Sequence, residues 1–301
     1  MDLARLRTLR ELSLRKTMAS VADALRVSPS AVSQQIALLE SEVGIELVER
    51  RGRGVHLTPA GECLVAHAGR VIGVLEEAKT DLAELKRIVA GELRVAAFPS
   101  VAASLIPPTM IALAGRYPAL HTTFTEMEPM EGLAALRAWQ TDVAVVDDLT
   151  TIGQSLDSGI ESIHILDDSL YVLMAASNPL ASRPFVQLSD LHDQRWVLDT
   201  AASDYSRVVT HACREAGFDP ILNGMCHGFE VVRAMVAAGC SISIQPGLRV
   251  LRNPCGLCIK ELRPAIQRKI SVAFRQKELR NPTIKVFIEE IDRIAFDIRQ
   301  P

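Results

Sequence analysis

The stretch from Ser28 to Gly44 constrains this chain more than any other. Val27-Ser28-Pro29-Ser30 reads as a tight turn, with Ser28 placed to cap a helix and Pro29 to fill its first position. Val32, Ile36, Leu39 and Val43 then fall on one stripe of a 3.6-residue period, and Gly44 stops the helix. Upstream, the pattern predicts a helix from about Leu3 to Lys16. Ser20-Val21-Ala22-Asp23 reads as the capping pattern of a second short helix ending near Arg26. Short helix, tight turn, second helix is the arrangement that lays its last member in the major groove of DNA.

With the apolar stripe turned inward, Ser30, Gln34, Ala37 and Ser41 face out and Ser33 lies on the flank. Ser28, Pro29, Ser30, Ser33 and Gln34 are therefore the candidate reading end, because glutamine can pair bidentately with adenine and serine can bond bases or phosphates. The same residues also suit the solvated face of a small helical domain. Between Leu47 and Thr58, two β-like stretches flank a Gly/Arg turn shaped like a wing. Arg50, Arg51 and Arg53 are its candidate phosphate contacts. An Arg-rich turn alone equally suits a solvated hairpin tip; its place after a helix-turn-helix favours DNA.

Several runs together carry a resemblance. They are Ala22-Asp23-Ala24-Leu25, Ser28 through Ile36, Leu38-Leu39-Glu40, Gly44, Leu47, and Arg50 through Leu57-Thr58-Pro59-Ala60-Gly61. Over about sixty residues the chain is similar to the N-terminal domain of LysR-type transcriptional regulators. Val48 departs from the pattern, since the family usually has Phe there; this lightens the packing of the wing and leaves the reading helix untouched. The resemblance implies a sequence-specific DNA-binding transcriptional regulator that works on promoter DNA, often as a dimer of dimers.

Thr58 and Pro59 can open a helix running to about Ala90. Leu64, Ala68, Val71, Leu75, Ala78, Leu82, Leu85 and Val89 alternate spacings of four and three along it. That is a heptad seam, which predicts a partner helix and so at least a homodimer presenting two reading helices to two half-sites. A helix lying on its own domain is the alternative.

From Gly91 apolar strands alternate with amphipathic helices, which argues an α/β part. The expected strands are Leu93–Phe98, Thr122–Met127, Val143–Asp147, Leu170–Ala175, Trp196–Asp199, Ser241–Gln245 and Ile270–Arg275. Val101–Arg116, Asp204–Ala216, Phe229–Ala238 and Pro282–Arg299 are the expected helices. This half resembles the two-lobed periplasmic-binding-protein-like (type II) domain of the same family. The expectation is an α+β multidomain chain. It comprises a winged helix-turn-helix at 1–59, a linker helix at 60–90 and an effector-binding domain at 91–301. Lobe one takes 91–166 with 266–301, and lobe two 167–265.

Ligands of such sheets sit at the carboxyl ends of strands. Those ends carry Ser100 and Val101, Glu126 and Glu128, Val146 and Asp147, and from lobe two Asp199, Thr200 and Ser203; Tyr205 and Phe229 are candidate walls. Ser100 and Ser203 also suit simple helix caps, and the two rings suit core packing. The resemblance adds weight to Ser100, since the residue after the first strand commonly lines the family's effector pocket. Carboxylates dominate these ends and no Arg or Lys is read there, so the expected effector bears an amine or several hydroxyls rather than being a bare dicarboxylate.

Composition excludes several other classes. The chain has 301 residues, 48% of them hydrophobic, and a net charge of −3, so it is no bulk polycation. Nine Lys/Arg against seven Asp/Glu make residues 1–61 locally positive. No apolar run reaches the length of a membrane span, and Met1-Asp2-Leu3-Ala4-Arg5 lacks the apolar core of a secretory signal, so the expected location is cytoplasmic. The seven histidines are scattered without ligand spacing, and no catalytic or phosphate-binding fingerprint is present. No enzyme, cofactor or metal is expected. Cys255-Gly256-Leu257-Cys258 supplies two thiols where structural zinc takes four ligands. Redox sensing through Cys255 and Cys258 is the alternative to a cleft ligand.

Overall fold

The computed structural model describes residues 1–25, 27–51, 54–86, 89–151, 159–199, 203–251 and 256–299. Its contacts divide the chain into two compact units, Met1–Leu85 and Lys86–Pro301.

In the first unit, α1 (Leu3–Arg15) ends at Lys16, whose left-handed backbone turns the chain. Helix α2 (Met18–Leu25) begins earlier than the Ser20 pattern predicts. The Thr17 hydroxyl accepts the Ser20 N–H at 3.2 Å and the Thr17 carbonyl accepts that of Val21, so Thr17 supplies the cap expected of Ser20. Helix α3 (Pro29–Val43) is capped as expected. Ser28 accepts the Ala31 N–H at 3.2 Å, and Gly44 closes the helix at φ 71°. Such a cap contributes about 1 kcal/mol. Val32, Ile36 and Leu39 are buried against Leu6, Leu9, Leu12 and Val21.

Strands β1 (Val48–Arg51) and β2 (Gly54–Leu57) pair antiparallel, with Val48 opposite Leu57. Glu40 anchors the approach to them, its carboxylate accepting the N–H groups of Leu47 and Val48 at 2.8 and 3.1 Å. The first turn of α4 (Pro59–Lys86) passes so close to Leu47 that a Cβ at Gly61 would sit 2.1 Å from its carbonyl oxygen. Leu64 and Ala68 complete the core of this unit, whereas Val71, Leu75 and Leu82 stay exposed. The helix is described as far as Lys86, and Val89 and Ala90 lie outside it, short of the predicted end at Ala90. Val89 packs instead on a core of the second unit.

The second unit opens with β3 (Gly91–Ala97), α5 (Pro99–Ser104), α6 (Ile106–Arg116), β4 (Leu120–Glu126), α7 (Pro129–Arg137) and β5 (Val143–Asp147). The single helix predicted over Val101–Arg116 is two, parted at Leu105, because Pro107 and Pro108 have no N–H to continue the ladder. Then come β6 (Ile160–Met174), β7 (Phe185–Gln187), β8 (Arg195–Asp199), α8 (Ser203–Glu215), β9 (Ile221–Cys226) and α9 (Phe229–Ala237). The order closes with β10 (Ser243–Pro246), α10 (Gly247–Val250), β11 (Cys258–Arg263), β12 (Gln267–Arg275) and α11 (Pro282–Arg299).

Hydrogen bonding links the strands in the order β4-β3-β5-β12-β6-β11-β7; β10 also pairs with β6, and β8 pairs with β9. One core gathers Leu93, Val95, Val145, Val272, Phe274 and Phe287; another gathers Val172, Met174, Trp196, Val209 and Ile244. Strand β6 feeds both. It starts ten residues before the predicted Leu170, and β7, β9 and β11 were not expected. Glu161, His164, Asp167 and Asp168 hide the start of β6 from a hydropathy reading. No helix among the described residues is long and apolar enough to cross a membrane.

Candidate functional sites

On the first unit, Ser28, Pro29, Ser30, Ser33 and Gln34 are all exposed, on the side of α3 away from its buried stripe. Ser28 and Ser30 hydroxyls lie 2.8 Å apart, so the cap and the first outward residue are linked. Gln35 turns the other way and receives the Thr8 hydroxyl, which makes Gln34 the outward member of the pair. Arg50 and Arg51 end β1. Arg53 lies outside the described residues.

On the second unit, a cleft of about 360 Å³, open mouth included, lies between the two cores. Of the residues expected there, Ser100, Glu128, Asp147, Asp199 and Tyr205 line it. Val101 is instead fully buried in the first core, and Val146 packs with Ala96 and Leu133. Glu126 is exposed and outside the lining, while Phe229 sits under Arg249, 5.1 Å from its guanidinium carbon. Ser203 opens α8. Thr200 lies outside the described residues.

The expectation that no cation stands at these strand ends is corrected. Arg268 and Arg249, neither of them foreseen, both line the cleft, with Phe98, Pro99, Thr150 and Pro246 beside them. Arg268 lies near the start of β12, which runs antiparallel to β5, so its beginning falls beside the end of β5; Ile270 is opposite Asp147. A reading confined to the carboxyl ends of strands passes over it. Arg249 comes from α10, just beyond the end of β10, where continuing one turn past the strand would have found it.

Arg268 is 3% exposed and fully engaged on one side. Its Nε and Nη2 donate to Asp168 Oδ2 at 3.1 and 2.7 Å, and Nη2 also donates to Ser100 Oγ at 2.7 Å. Nη1 is 3.5 Å from Asp147 Oδ2, and the Phe98 ring lies 4.9 Å from the guanidinium carbon. Asp147 Oδ1 accepts the Thr150 N–H and hydroxyl at 2.8 and 3.0 Å. On the other side, Arg249 Nη1 is 3.3 Å from Asp199 Oδ2 and 3.4 Å from Gln245 Oε1. Asp199 also accepts the Gly228 N–H. The Tyr205 hydroxyl donates to the Ile244 carbonyl at 3.4 Å, and burial pushes this phenol far above its ordinary range, so it stays a neutral donor. Among the described residues the lining thus carries three carboxylates against two guanidinium groups, a balance suited to holding a polar molecule of mixed charge.

Cys258 opens β11 with its sulfur 3.8 Å from the Ala181 carbonyl; Cys255 lies outside the described residues. Among the described residues, no group of three His, Cys, Asp or Glu side chains is placed to hold a metal.

A helix-turn-helix with an outward polar face and a wing, followed in the same chain by an α/β unit with a charged cleft, defines a class: DNA-binding regulators that carry their own sensor domain. The family model for bacterial regulatory helix-turn-helix proteins of the lysR family matches residues 3–62, and that for the LysR substrate binding domain matches residues 86–295. The chain belongs to the LysR family; it is a DNA-binding transcriptional regulator with an effector-binding domain, not an enzyme. It is 27% identical over 246 residues to the transcriptional dual regulator GltC of Bacillus subtilis, covering 82% of this chain and 81% of that one. It is 28% identical over 257 residues to a hydrogen peroxide-inducible genes activator of Pectobacterium carotovorum, covering 84% and 83%. A full-length OxyR variant from Pseudomonas aeruginosa shares the fold with a TM-score of 0.71 at 24% identity, over 97% of this chain and 94% of that one.

Proposed function

We propose that Ser30, Ser33 and Gln34 read base edges while Ser28, Pro29, Arg50, Arg51 and Arg53 hold the phosphates beside them. The exposure of Gln34 opposite the buried Val32, Ile36 and Leu39 carries this reading. A Gln34→Ala variant should lose about 1–3 kcal/mol of preference between cognate and altered sites. An Arg53→Ala variant should bind all sequences more weakly and reduce the salt slope by about one. Fluorescence anisotropy across a salt series separates the two, and exchanged outcomes would overturn the assignment of roles.

The effector site in this reading is the cleft between two lobes, 91–166 with 266–301 and 167–265, and its ligand bears an amine or hydroxyls. The excess of carboxylates in the lining supports that chemistry even with Arg249 and Arg268 present. A ligand preferring one arrangement of the lobes shifts promoter binding by its differential affinity, about 1–3 kcal/mol for a typical coupling. The working form is a cytoplasmic homodimer joined through α4, and a homotetramer when two such dimers associate. Val71, Leu75 and Leu82, exposed along one side of that helix, support the dimer.

A second reading, thiol-based sensing through Cys255 and Cys258, draws on the peroxide-inducible activator among the relatives. Among the described residues the lining of the cleft contains no cysteine, so the two readings make separate demands. Promoter affinity that responds to peroxide, and ceases to respond when both cysteines are replaced by serine, would establish it over the cleft ligand.

A further inference from the structure

The charged groups of the cleft are not equally occupied. Asp147 is 2% exposed, and the two hydrogen bonds that its side chain accepts among the described residues, from the Thr150 N–H and hydroxyl, go to Oδ1. Among the described residues Oδ2 has only the long 3.5 Å approach of Arg268 Nη1, the other nitrogens of that guanidinium serving Asp168 and Ser100. Asp147 therefore offers one acceptor oxygen to the cleft from the end of β5.

Arg249 is the complement on the other wall. Its side chain is 12% exposed, and its two hydrogen bonds, at 3.3 and 3.4 Å, both use Nη1. Nε and Nη2 donate to no protein group among the described residues. Both are ionised donors at every working pH. One wall thus presents a carboxylate oxygen without a close donor, the other a two-nitrogen fork without an acceptor. Both line the same open cleft.

From this asymmetry we infer that the effector is a small zwitterion of the α-amino-acid type, its ammonium on Asp147 Oδ2 and its carboxylate on the Nε/Nη2 fork of Arg249. A simple amine leaves the fork unused. A dicarboxylate brings a second anion against Asp147 and Glu128. A molecule bearing both charges satisfies each wall and draws them together, because each charged end is held by a different core. This inference rests on the cleft being the effector site and narrows what it takes.

The test uses the full-length protein and the proteinogenic L-amino acids, screened one at a time by thermal shift and followed by isothermal titration. At least one free amino acid binds. Its N-acetyl derivative, which lacks the ammonium, and its methyl ester, which lacks the carboxylate, each bind at least about tenfold more weakly. In Asp147→Asn the acetylated and free forms become equivalent, and in Arg249→Gln the ester and free acid do. If neither variant folds, the derivative series on the wild-type protein decides alone. The inference is overturned if no free amino acid binds, or if the derivatives bind as well as the parent. A sugar, plain amine or carboxylate that binds and is weakened by either substitution removes the zwitterion and keeps the cleft. A ligand indifferent to both substitutions removes the cleft itself.

Discussion

Arg268 Nη2 lies 2.7 Å from Asp168 Oδ2, with both side chains almost wholly buried, and the same nitrogen reaches Ser100 at the start of α5. Asp168 uses its other oxygen to accept the Leu248 N–H at 3.0 Å. One ion pair therefore ties together β6, β12, α5 and α10. Replacing Arg268 by Ala leaves Asp147 and Asp168 buried without their shared cation, which costs about 3–5 kcal/mol. Urea unfolding checks this, and a loss under about 1 kcal/mol would sink it.

The exposed side of α4 makes a second prediction. Val71, Leu75 and Leu82 are 47%, 39% and 59% exposed, although they continue the stripe that Leu64 and Ala68 begin inside the first core. Each leucine buried against a partner helix contributes up to about 2 kcal/mol. The double substitution Leu75→Glu and Leu82→Glu should convert the sedimenting species to monomer and weaken promoter binding, with helical circular dichroism retained. A sedimentation coefficient equal to the wild type's would refute the seam.

Asp142 links stability to pH. Burial alone would raise its pKa, but the hydrogen bonds and charge of Arg94, with the charge of Arg275 behind them, hold it below its ordinary value of 3.8. Arg94 donates from Nη2 at 2.7 Å, and its backbone N–H donates at 2.8 Å. Because the folded value is depressed, the unfolded chain binds more protons in the acid range, and stability rises with pH there. The contribution is complete above the ordinary carboxylate value and is lost as pH falls through the depressed one. Asp142→Asn should flatten that part of the unfolding free energy against pH. A variant with the wild-type acid slope would contradict the assignment.

Thiol reactivity sorts the cysteines. Cys213 is fully buried and its thiol is pushed up to about 11 by that burial and by the charge of Asp219, whereas Cys63 and Cys240 are exposed. Since the thiolate is the reactive form, alkylation of the native protein with iodoacetamide should mark Cys63 and Cys240 at least about tenfold faster than Cys213. Peptide mass spectrometry at timed intervals reads the rates, and early labelling of Cys213 would mean that its core opens locally.

The helical first unit was legible because its signals are local. Ser28, Pro29 and Gly44 bound α3 through contacts within a few residues, and the stripe through Val32, Ile36 and Leu39 needs only the helical period. Thr17 was missed for a smaller reason: the Ser20-x-x-Asp23 spacing imitates a cap one turn too late. In the second unit Asp147 and Asp199 were found because they end strands, and Arg268 was not, because its neighbour Asp168 is 100 residues away. Antiparallel pairing brings the start of one strand to the end of another, and no spacing along the chain announces it. Strand β9 escaped for the opposite reason, since Ile221, Leu222 and Met225 are 51%, 48% and 66% exposed and follow no alternation.

Strand β6 runs for 15 residues, Ile160 to Ser169 paired with β12 through one register shift and Leu170 to Met174 with β10 and β11. At about 3.3 Å per residue it spans some 50 Å, and both cores are built on it. Because both cores draw side chains from this one strand, a change in the angle between them is carried as twist and bend in its backbone. On the proposed reading the sensor half of the molecule is a torsion bar with a load at each end, and a ligand at its middle would set the angle at which it rests.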